Sequence, residues 1–236
     1  MSKVIESGCP DCAKIKQAEQ LEEKALTQKR EQYDKIKTAH HDCQLPKRFA
    51  LRTFDDYRAT ENAQTYALAV AKRYANKFEE RLEQGGGLVF CGKPGTGKTH
   101  LAAAIANQII ESGRTVVFVS VMKALRRVKS TYSKTSQETE QEAINSFLKP
   151  DLLIIDEIGV QYGSDAEKVI LFEILNGRYE DMRPTVILSN LEEDELGKFM
   201  GARVVDRMRE GGGAVVAFDW TSYRGKPHKI LRSNQA

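Results

Sequence analysis

Short apolar runs alternate with longer segments of mixed polarity along most of the chain. Segments of helical composition separate the runs, for example the alanine- and isoleucine-rich residues 101–110 and the residues from Ser164 to about Glu180. Five runs are typical of buried strands, and they cover residues 88–91, 115–120, 152–157, 185–190 and 214–218. Strands that alternate with helices favour a parallel sheet. The pattern therefore predicts an α/β fold with a parallel five-stranded sheet flanked by helices.

Three further segments have helical patterns. Residues 62–83 predict a helix that ends at Gly85-Gly86-Gly87, and residues 201–210 predict a short one. Residues 121–148 predict a polar helical insertion after the second strand. It carries a group of basic and aromatic side chains, Lys123, Arg126, Arg127, Lys129, Tyr132 and Lys134.

The first 50 residues differ from the rest in composition. Residues 13–38 contain no Gly or Pro and are rich in Glu, Lys, Gln and Ala, which favours a long exposed helix. Its apolar positions form a thin stripe, Ile15, Ala18, Leu21, Leu26, Tyr33 and Ile36. Such a stripe fits either docking on a partner or a solvated charged helix. We predict two domains, a helical appendage with its linker at 1–50 and an α/β domain at 51–236.

Charge and hydropathy limit the classes of function. The net charge is +3, so any nucleic-acid binding has to come from a local basic patch. No apolar run approaches the roughly 18 residues that span a membrane, and the N-terminus lacks a hydrophobic signal region. We therefore expect no membrane association and a cytoplasmic location.

The four cysteines raise the question of a metal site, since thiols are more common than disulfides in the cytoplasm. Cys9 and Cys12 form a Cys-x-x-Cys pair, and His40 and Cys43 form His-x-x-Cys, a spacing that suits zinc. However, a continuous helix over 13–38 would hold the pairs about 38 Å apart. Free cysteines and half of a zinc knuckle remain as alternatives.

Residues 92–99 read Gly-Lys-Pro-Gly-Thr-Gly-Lys-Thr and fit the phosphate-loop pattern at every fixed position. Glycines let the backbone wrap around a phosphate, and Lys98 adds a positive charge at the β- and γ-phosphates. The Thr99 hydroxyl suits a magnesium ion. We predict that the loop and its next residue bind nucleotide, namely Gly92, Lys93, Pro94, Gly95, Thr96, Gly97, Lys98, Thr99 and His100.

Polar side chains end the two strands that follow the insertion. Asp156 and Glu157 come directly after four apolar residues, where a carboxylate could hold Mg²⁺ and its neighbour could activate a water. Asn190, at the tip of the next strand, could hydrogen-bond the γ-phosphate or that water, or instead cap a helix. Together with the phosphate loop, these residues predict ATP hydrolysis.

Arg203 and Arg207 are four residues apart and therefore lie on one face of the predicted short helix. An arginine finger needs such a placement at a surface, aimed at the γ-phosphate of a neighbouring subunit. A salt-bridged surface helix is the alternative.

Four segments carry a resemblance to a known family. They are residues 92–101 (GKPGTGKTHL), 151–161 (DLLIIDEIGVQ), 203–209 (RVVDRMR) and 220–224 (WTSYR). The chain resembles the DnaC family of replicative helicase loaders, AAA+ ATPases related to the initiator DnaA, over about residues 45 to 226. The resemblance implies an AAA+ fold without the family's α-helical lid domain.

The resemblance also implies roles for single residues. Asp156 and Glu157 become the Walker B pair, Asn190 becomes sensor 1, and Arg224 takes a place similar to sensor 2. Arg207 becomes the finger that acts in trans, with Arg203 close to the site. Single-stranded DNA would contact the insertion and the segment after Walker B, through Tyr132, Arg126, Lys129, Lys134, Gly163 and Ser164.

These features together predict an ATP-dependent loader of a hexameric replicative DNA helicase. We expect ATP and Mg²⁺ as cofactors, helicase binding through the N-terminal helix, and self-association through the ATP site. An IstB-like transposition helper is the nearest alternative, and a nucleotide-switched adaptor with little turnover is a second one, which Glu157 disfavours.

Overall fold

The computed structural model of the chain describes residues 38–159 and 164–224. Several predictions lie outside these ranges, including almost all of the helix at 13–38, Cys9, Cys12 and Gly163. The described residues from 39 onward belong to one compact unit. None of the helices in the described part of the chain is long and apolar enough to cross a membrane.

Five parallel strands form one sheet in the described ranges, in the order β2-β3-β4-β1-β5. Their bounds are β1 Leu88–Gly92, β2 Val116–Ser120, β3 Leu152–Ile158, β4 Thr185–Ser189 and β5 Ala214–Phe218. Every residue of β1 and β4 is buried, as expected for strands that are covered on both faces. The prediction of a parallel five-stranded α/β fold is confirmed.

Eight α-helices flank the sheet in the described part. They are α1 Asn62–Asn76, α2 Phe78–Gln84, α3 Lys98–Glu111, α4 Val121–Ser130, α5 Glu140–Leu148, α6 Asp165–Glu180, α7 Glu193–Met200 and α8 Ala202–Arg207. Residues 38–42 are also helical, and two 3₁₀ turns cover Lys47–Phe49 and Glu210–Gly212.

The structure corrects two helix predictions and adds one helix. The helix at 62–83 is broken at Lys77, whose backbone leaves the helical region at φ −106° and ψ 27°. The insertion at 121–148 is two helices, because the Ser- and Thr-rich residues between them offer the backbone side-chain hydrogen bonds that compete with a helix. Helix α7 was not predicted. Its capping residue is Glu192 and it contains Gly197, so neither its start nor its composition is typical.

The core lies between the sheet and the helices. Helix α3 is buried along most of its length and packs against the sheet. On the other face, helices α4, α5, α6 and α8 contribute to a cluster of buried apolar side chains that includes residues from β1, β3 and β4. This layered core holds the carboxyl ends of the parallel strands at one edge, which is where ligands bind in such folds.

Cys43 is part of this compact unit. Its side chain is buried, its carbonyl accepts a hydrogen bond from the Phe118 N–H at 2.7 Å, and burial raises the pKa of its thiol to about 11. No group of three or more His, Cys, Asp or Glu suited to a metal occurs among the described residues. The hydrogen bond between Cys43 and Phe118 connects the predicted linker to β2. The domain boundary at residue 50 stays a prediction.

Candidate nucleotide-binding site

The phosphate loop connects β1 to α3 at the carboxyl edge of the sheet. Gly92, Gly95 and Gly97 have φ values of 109°, 77° and 101°, in the region that favours glycine. A side chain at Gly95 would start 2.1 Å from Ser222 Oγ, and one at Gly97 would start 2.7 Å from the Tyr57 ring. These glycines are therefore required both by the curve of the loop and by the segments packed on it.

Lys98 is buried at the start of α3. Its ammonium donates hydrogen bonds to the carbonyls of Gly92 at 2.6 Å and Lys93 at 2.7 Å. Burial lowers the pKa of Lys98 to about 8, although the nearby Asp156 carboxylate acts in the opposite direction. A buried cation beside a wrapped glycine loop is a site prepared for an anion.

The two residues predicted to hold Mg²⁺ are in contact. Thr99 Oγ1 donates a hydrogen bond to Asp156 Oδ2 at 3.2 Å, across the gap between α3 and the end of β3. Burial raises the pKa of the Asp156 carboxyl above its ordinary value. A hydroxyl and a half-buried carboxylate side by side are the oxygen donors that Mg²⁺ prefers, so the residues fit the ion.

Glu157 follows in an uncommon backbone conformation. Its φ is +66°, and its N–H donates to Asp156 Oδ1 at 2.7 Å. The side chain is exposed at the edge of the sheet. Because non-glycine residues rarely adopt this region, the conformation is a specific feature of the site and not a default strand geometry.

Two side chains and one backbone group hold the loop from segments distant in the chain. Trp220 Nε1 and the Tyr57 hydroxyl both donate to the Thr96 carbonyl, at 3.0 Å and 3.4 Å. The Tyr223 N–H donates to the Gly95 carbonyl at 2.8 Å. This arrangement brings Arg224 to the loop, where its Cδ would lie 3.4 Å from a Cβ at Gly95, and its role similar to sensor 2 stays a prediction. The role of Tyr57 was missed, because no sequence motif marks it.

His100 and Lys93, predicted to bind nucleotide, make contacts within the protein. His100 Nε2 lies 3.0 Å from the Thr53 carbonyl, and its ring meets that of Tyr57 edge-on at 5.6 Å. Lys93 Nζ donates to the Asp219 carbonyl at 2.7 Å. Both side chains hold the loop against its neighbouring segments.

Asn190 lies exposed at the end of β4, beside β3 in the sheet. It does not cap the next helix, since the N-cap of α7 is Glu192, whose carboxylate pairs with the backbone in a capping box with Glu195. The alternative of a capping role for Asn190 is therefore wrong. Its place next to β3 is compatible with a contact to phosphate or water.

The two arginines of α8 have different surroundings. Arg207 is half-buried, donates a hydrogen bond to Asn176, and its guanidinium lies 4.5 Å from the Tyr179 ring centre. Arg203 is exposed and makes no hydrogen bond or ion pair with any residue that the structure describes. Of the two, Arg203 is thus the freer to reach another molecule.

Four of the residues predicted to contact DNA lie on or near α4, and two of these four already have partners. Lys129 forms an ion pair with Glu167 at 2.6 Å, and the hydroxyl of Tyr132 donates to Glu140 at 2.7 Å. Arg126 and Lys134 are exposed on the same segment. Ser164 has a structural role, because it caps α6 in a capping box with Glu167. The ion pair therefore joins the insertion to the start of α6.

Comparisons with known proteins agree with this geometry. The family described as "IstB-like ATP binding protein" matches residues 15–228. The "Replicative helicase loader DnaC" of Buchnera aphidicola subsp. Acyrthosiphon pisum (strain APS) is 41% identical over 172 residues, covering 73% of this chain and 69% of that protein. The protein of the same name from Escherichia coli (strain K12) is 38% identical over 191 residues, covering 81% and 73%.

A solved structure, "Crystal structure of the DnaC helicase loader", has a TM-score of 0.64, with 23% identity and coverage of 74% of this chain and 100% of that one. At this identity the likeness supports the fold alone, an AAA+ domain with a nucleotide-binding phosphate loop. With a family match over most of its length and relatives at 38% and 41% identity, this chain belongs to the IstB-like ATP-binding proteins and, within them, to the DnaC replicative helicase loader family.

Proposed function

We propose that this protein loads a hexameric replicative DNA helicase onto single-stranded DNA and that ATP hydrolysis accompanies the loading. The observation that supports the proposal is the cluster at the carboxyl edge of the sheet, where Lys98 bonds to the phosphate loop, Thr99 bonds to Asp156, and Glu157 is exposed. The relatives named replicative helicase loaders are the reason for proposing a helicase as the partner.

The residues divide the chemistry between binding and activation. The loop N–H groups and Lys98 would bind the phosphates, and Thr99 and Asp156 would hold Mg²⁺. Bound there, Mg²⁺ would neutralise the charge that develops on the β- and γ-phosphates. Glu157 would orient the attacking water and accept its proton, and Asn190 would hydrogen-bond the same water or the γ-phosphate.

Self-association would complete this site. The exposed Arg203 is available to reach the γ-phosphate of a neighbouring subunit, whereas Arg207 would have to leave Asn176 and the Tyr179 ring. We keep both as candidates for the finger, with Arg207 favoured by its position in the family motif and Arg203 by its exposure.

Deleting residues 1–37 is expected to abolish co-migration with a hexameric replicative helicase on gel filtration while ATP affinity stays unchanged. The reason is that the apolar stripe of that segment offers anchors for a groove on the partner, whereas the contacts described for the candidate ATP site lie within residues 53–224. A control in which only Ile15, Leu26, Tyr33 and Ile36 are changed to Ser tests the stripe itself.

The same experiment separates the candidate functions. A truncated protein that still binds the helicase with full affinity would move the interface to the AAA+ domain. The match to the IstB-like family favours a second candidate, a transposition helper, which would retain a transposase and not the helicase in a parallel pull-down. A nucleotide-switched adaptor would bind the helicase but show negligible ATP turnover with and without single-stranded DNA.

Single-stranded DNA is expected to bind along α4 and the turn that follows. Tyr132→Ala should weaken oligonucleotide binding about fivefold or more, because base stacking on an aromatic ring is worth ~1–3 kcal/mol. Tyr132→Phe should bind at least as well as the wild type, since it keeps the ring and loses only the hydrogen bond to Glu140. Fluorescence anisotropy with a labelled oligonucleotide measures both.

Two lysine variants test the phosphate contacts, Lys129→Ala and its control Lys77→Ala. Lys129→Ala should make the salt dependence of binding shallower by about 0.7 in the log–log slope, the value for one phosphate contact on a single strand. Lys77, which pairs with Glu80 at 2.9 Å near the start of α2, is the matched lysine, and Lys77→Ala should leave the slope unchanged. Equal affinity for the wild type and Tyr132→Ala would instead favour a solvated helix with no part in DNA binding.

A further inference from the structure

The end of β3 contains a bulge at the residues that carry the catalytic chemistry. Pairing with β4 matches Ile155 to Ile187 and then Ile158 to Ser189, so β3 has one residue more than β4 between the two pairs. The bulge includes Glu157, whose φ of +66° re-aims its side chain out of the regular strand. Such a conformation persists only where its surroundings hold it.

A single buried hydroxyl holds the carbonyl that follows the bulge. Ser189 is 1% exposed, and its Oγ donates a hydrogen bond to the Ile158 carbonyl at 2.7 Å. The same oxygen accepts a hydrogen bond from the Leu191 N–H at 3.1 Å. Ser189 therefore fastens the chain one residue after Glu157 and, at the same time, closes a turn around Asn190.

This turn also contacts the phosphate loop. The Leu191 carbonyl accepts a hydrogen bond from the Gly92 N–H at 2.8 Å, at the first residue of the loop. The Leu191 side chain packs so closely on Gly159 that a Cβ there would lie 2.3 Å from its Cδ1. The Ser189 turn, which contains Asn190, therefore contacts both the end of β3 and the start of the phosphate loop.

We propose that Ser189 is a positioning residue for ATP hydrolysis, whose hydroxyl keeps Glu157 and Asn190 in register with the phosphate loop. The inference rests on the proposed roles of Glu157 and Asn190. Without the hydroxyl, the Ile158 carbonyl and the Leu191 N–H both lose a buried partner, and the bulge is free to relax toward ordinary strand geometry. Lys98, Thr99 and Asp156 keep their own contacts, so nucleotide binding would survive.

Ser189→Ala is expected to lower kcat for ATP hydrolysis by about 10- to 100-fold, because misplacement of a catalytic group by about 1 Å costs up to ~10² in rate. Its Kd for ATP should stay within about twofold of the wild type. Ser189→Cys, nearly equal in volume but a weak donor, should behave in the same way and replaces the alanine variant if that one does not fold. Ser146→Ala is the matched control, since the Ser146 hydroxyl donates to the Ala143 carbonyl in α5, away from the site.

A double-mutant cycle tests the route of the effect. Because Ser189 acts through Glu157, adding Ser189→Ala to Glu157→Gln should lower kcat little further, whereas an unrelated structural defect would add its full effect. Wild-type kcat in the folded Ser189 variant overturns the inference, and so does a parallel loss of ATP binding. If Glu157→Gln itself hydrolyses ATP normally, the proposed role of Glu157 fails instead, whatever the Ser189 variants do.

Discussion

Glu157→Gln is expected to lower kcat for ATP hydrolysis by about 10²–10⁴-fold, the range for loss of a positioned general base. ATP affinity should change by less than about threefold, because the carboxylate makes no contact with Lys98 or Thr99 and only its backbone N–H bonds to Asp156. The glutamine keeps the shape of the side chain and removes its ability to accept a proton. Steady-state phosphate release and equilibrium binding of a fluorescent ATP analogue measure the two quantities.

Two controls define what this result means. Glu83→Gln changes an exposed glutamate of α2 in the same way and should leave both quantities unchanged. Lys98→Ala should instead abolish ATP binding, since it removes the buried cation of the phosphate loop. Hydrolysis at the wild-type rate by Glu157→Gln would show that another group activates the water.

The same variant distinguishes the two candidate finger residues. If sites are shared between subunits, mixing Glu157→Gln with the correct arginine variant should restore part of the turnover, because some interfaces then receive an intact carboxylate and an intact arginine. Arg207→Ala and Arg203→Ala are tested in parallel, and the arginine that acts in trans gives the rescue. Failure of both mixtures at every ratio would count against a shared site.

The sequence predicted the site residues that belong to recognisable motifs. Thr99 and Asp156, 57 positions apart in the chain, are 3.2 Å apart in the structure, because a phosphate loop and a neighbouring parallel strand end at the same edge of the sheet. Lys98 is likewise buried where the loop pattern requires it. In such cases the motif itself indicates where its residues lie relative to the sheet.

The residues that hold the site together could not be predicted in the same way. Ser189 and Tyr57 act through single hydrogen bonds to carbonyls of other segments, and any residue has a carbonyl. The positive φ of Glu157 depends on a register shift between strands, which no local pattern encodes. The partners of Lys129 and Tyr132 were missed for a related reason, because a polar sequence does not tell which charges meet after folding.

Arg178 is a further residue whose structural role could not be predicted from the sequence. It lies on α6 with its side chain fully buried, and it donates hydrogen bonds to a ring of backbone and hydroxyl oxygens, those of Phe147, Leu148, Pro150, Asp151, Pro184 and Thr185. These oxygens belong to the end of α5 and to the starts of β3 and β4. Burial lowers the pKa of Arg178 to about 9, which leaves the guanidinium charged at neutral pH. The Arg178 side chain therefore connects the end of α5 to the starts of β3 and β4, the strands whose other ends lead to Glu157 and Asn190.

Arg178→Met is expected to lower the free energy of unfolding by about 3–5 kcal/mol, the usual cost of removing one partner from a buried charged network. Methionine fills much of the volume but donates no hydrogen bond, so several buried carbonyls lose a hydrogen-bond donor, at ~1–3 kcal/mol each before relaxation. Urea denaturation, with a slope equal to that of the wild type, measures the difference.

Arg183→Met is the matched control for Arg178→Met. Arg183 also lies beside β4, but it is 39% exposed and pairs with Asp151 at 3.2 Å, so its loss should cost less than about 1 kcal/mol. Equal effects of the two substitutions would mean that the buried hydrogen bonds contribute no more than a surface ion pair. The expected inequality instead assigns to Arg178 the anchoring of β3 and β4. In that case ATP hydrolysis by Arg178→Met, measured well below its unfolding midpoint, should also fall, because the two strands that present the catalytic residues have lost their common support.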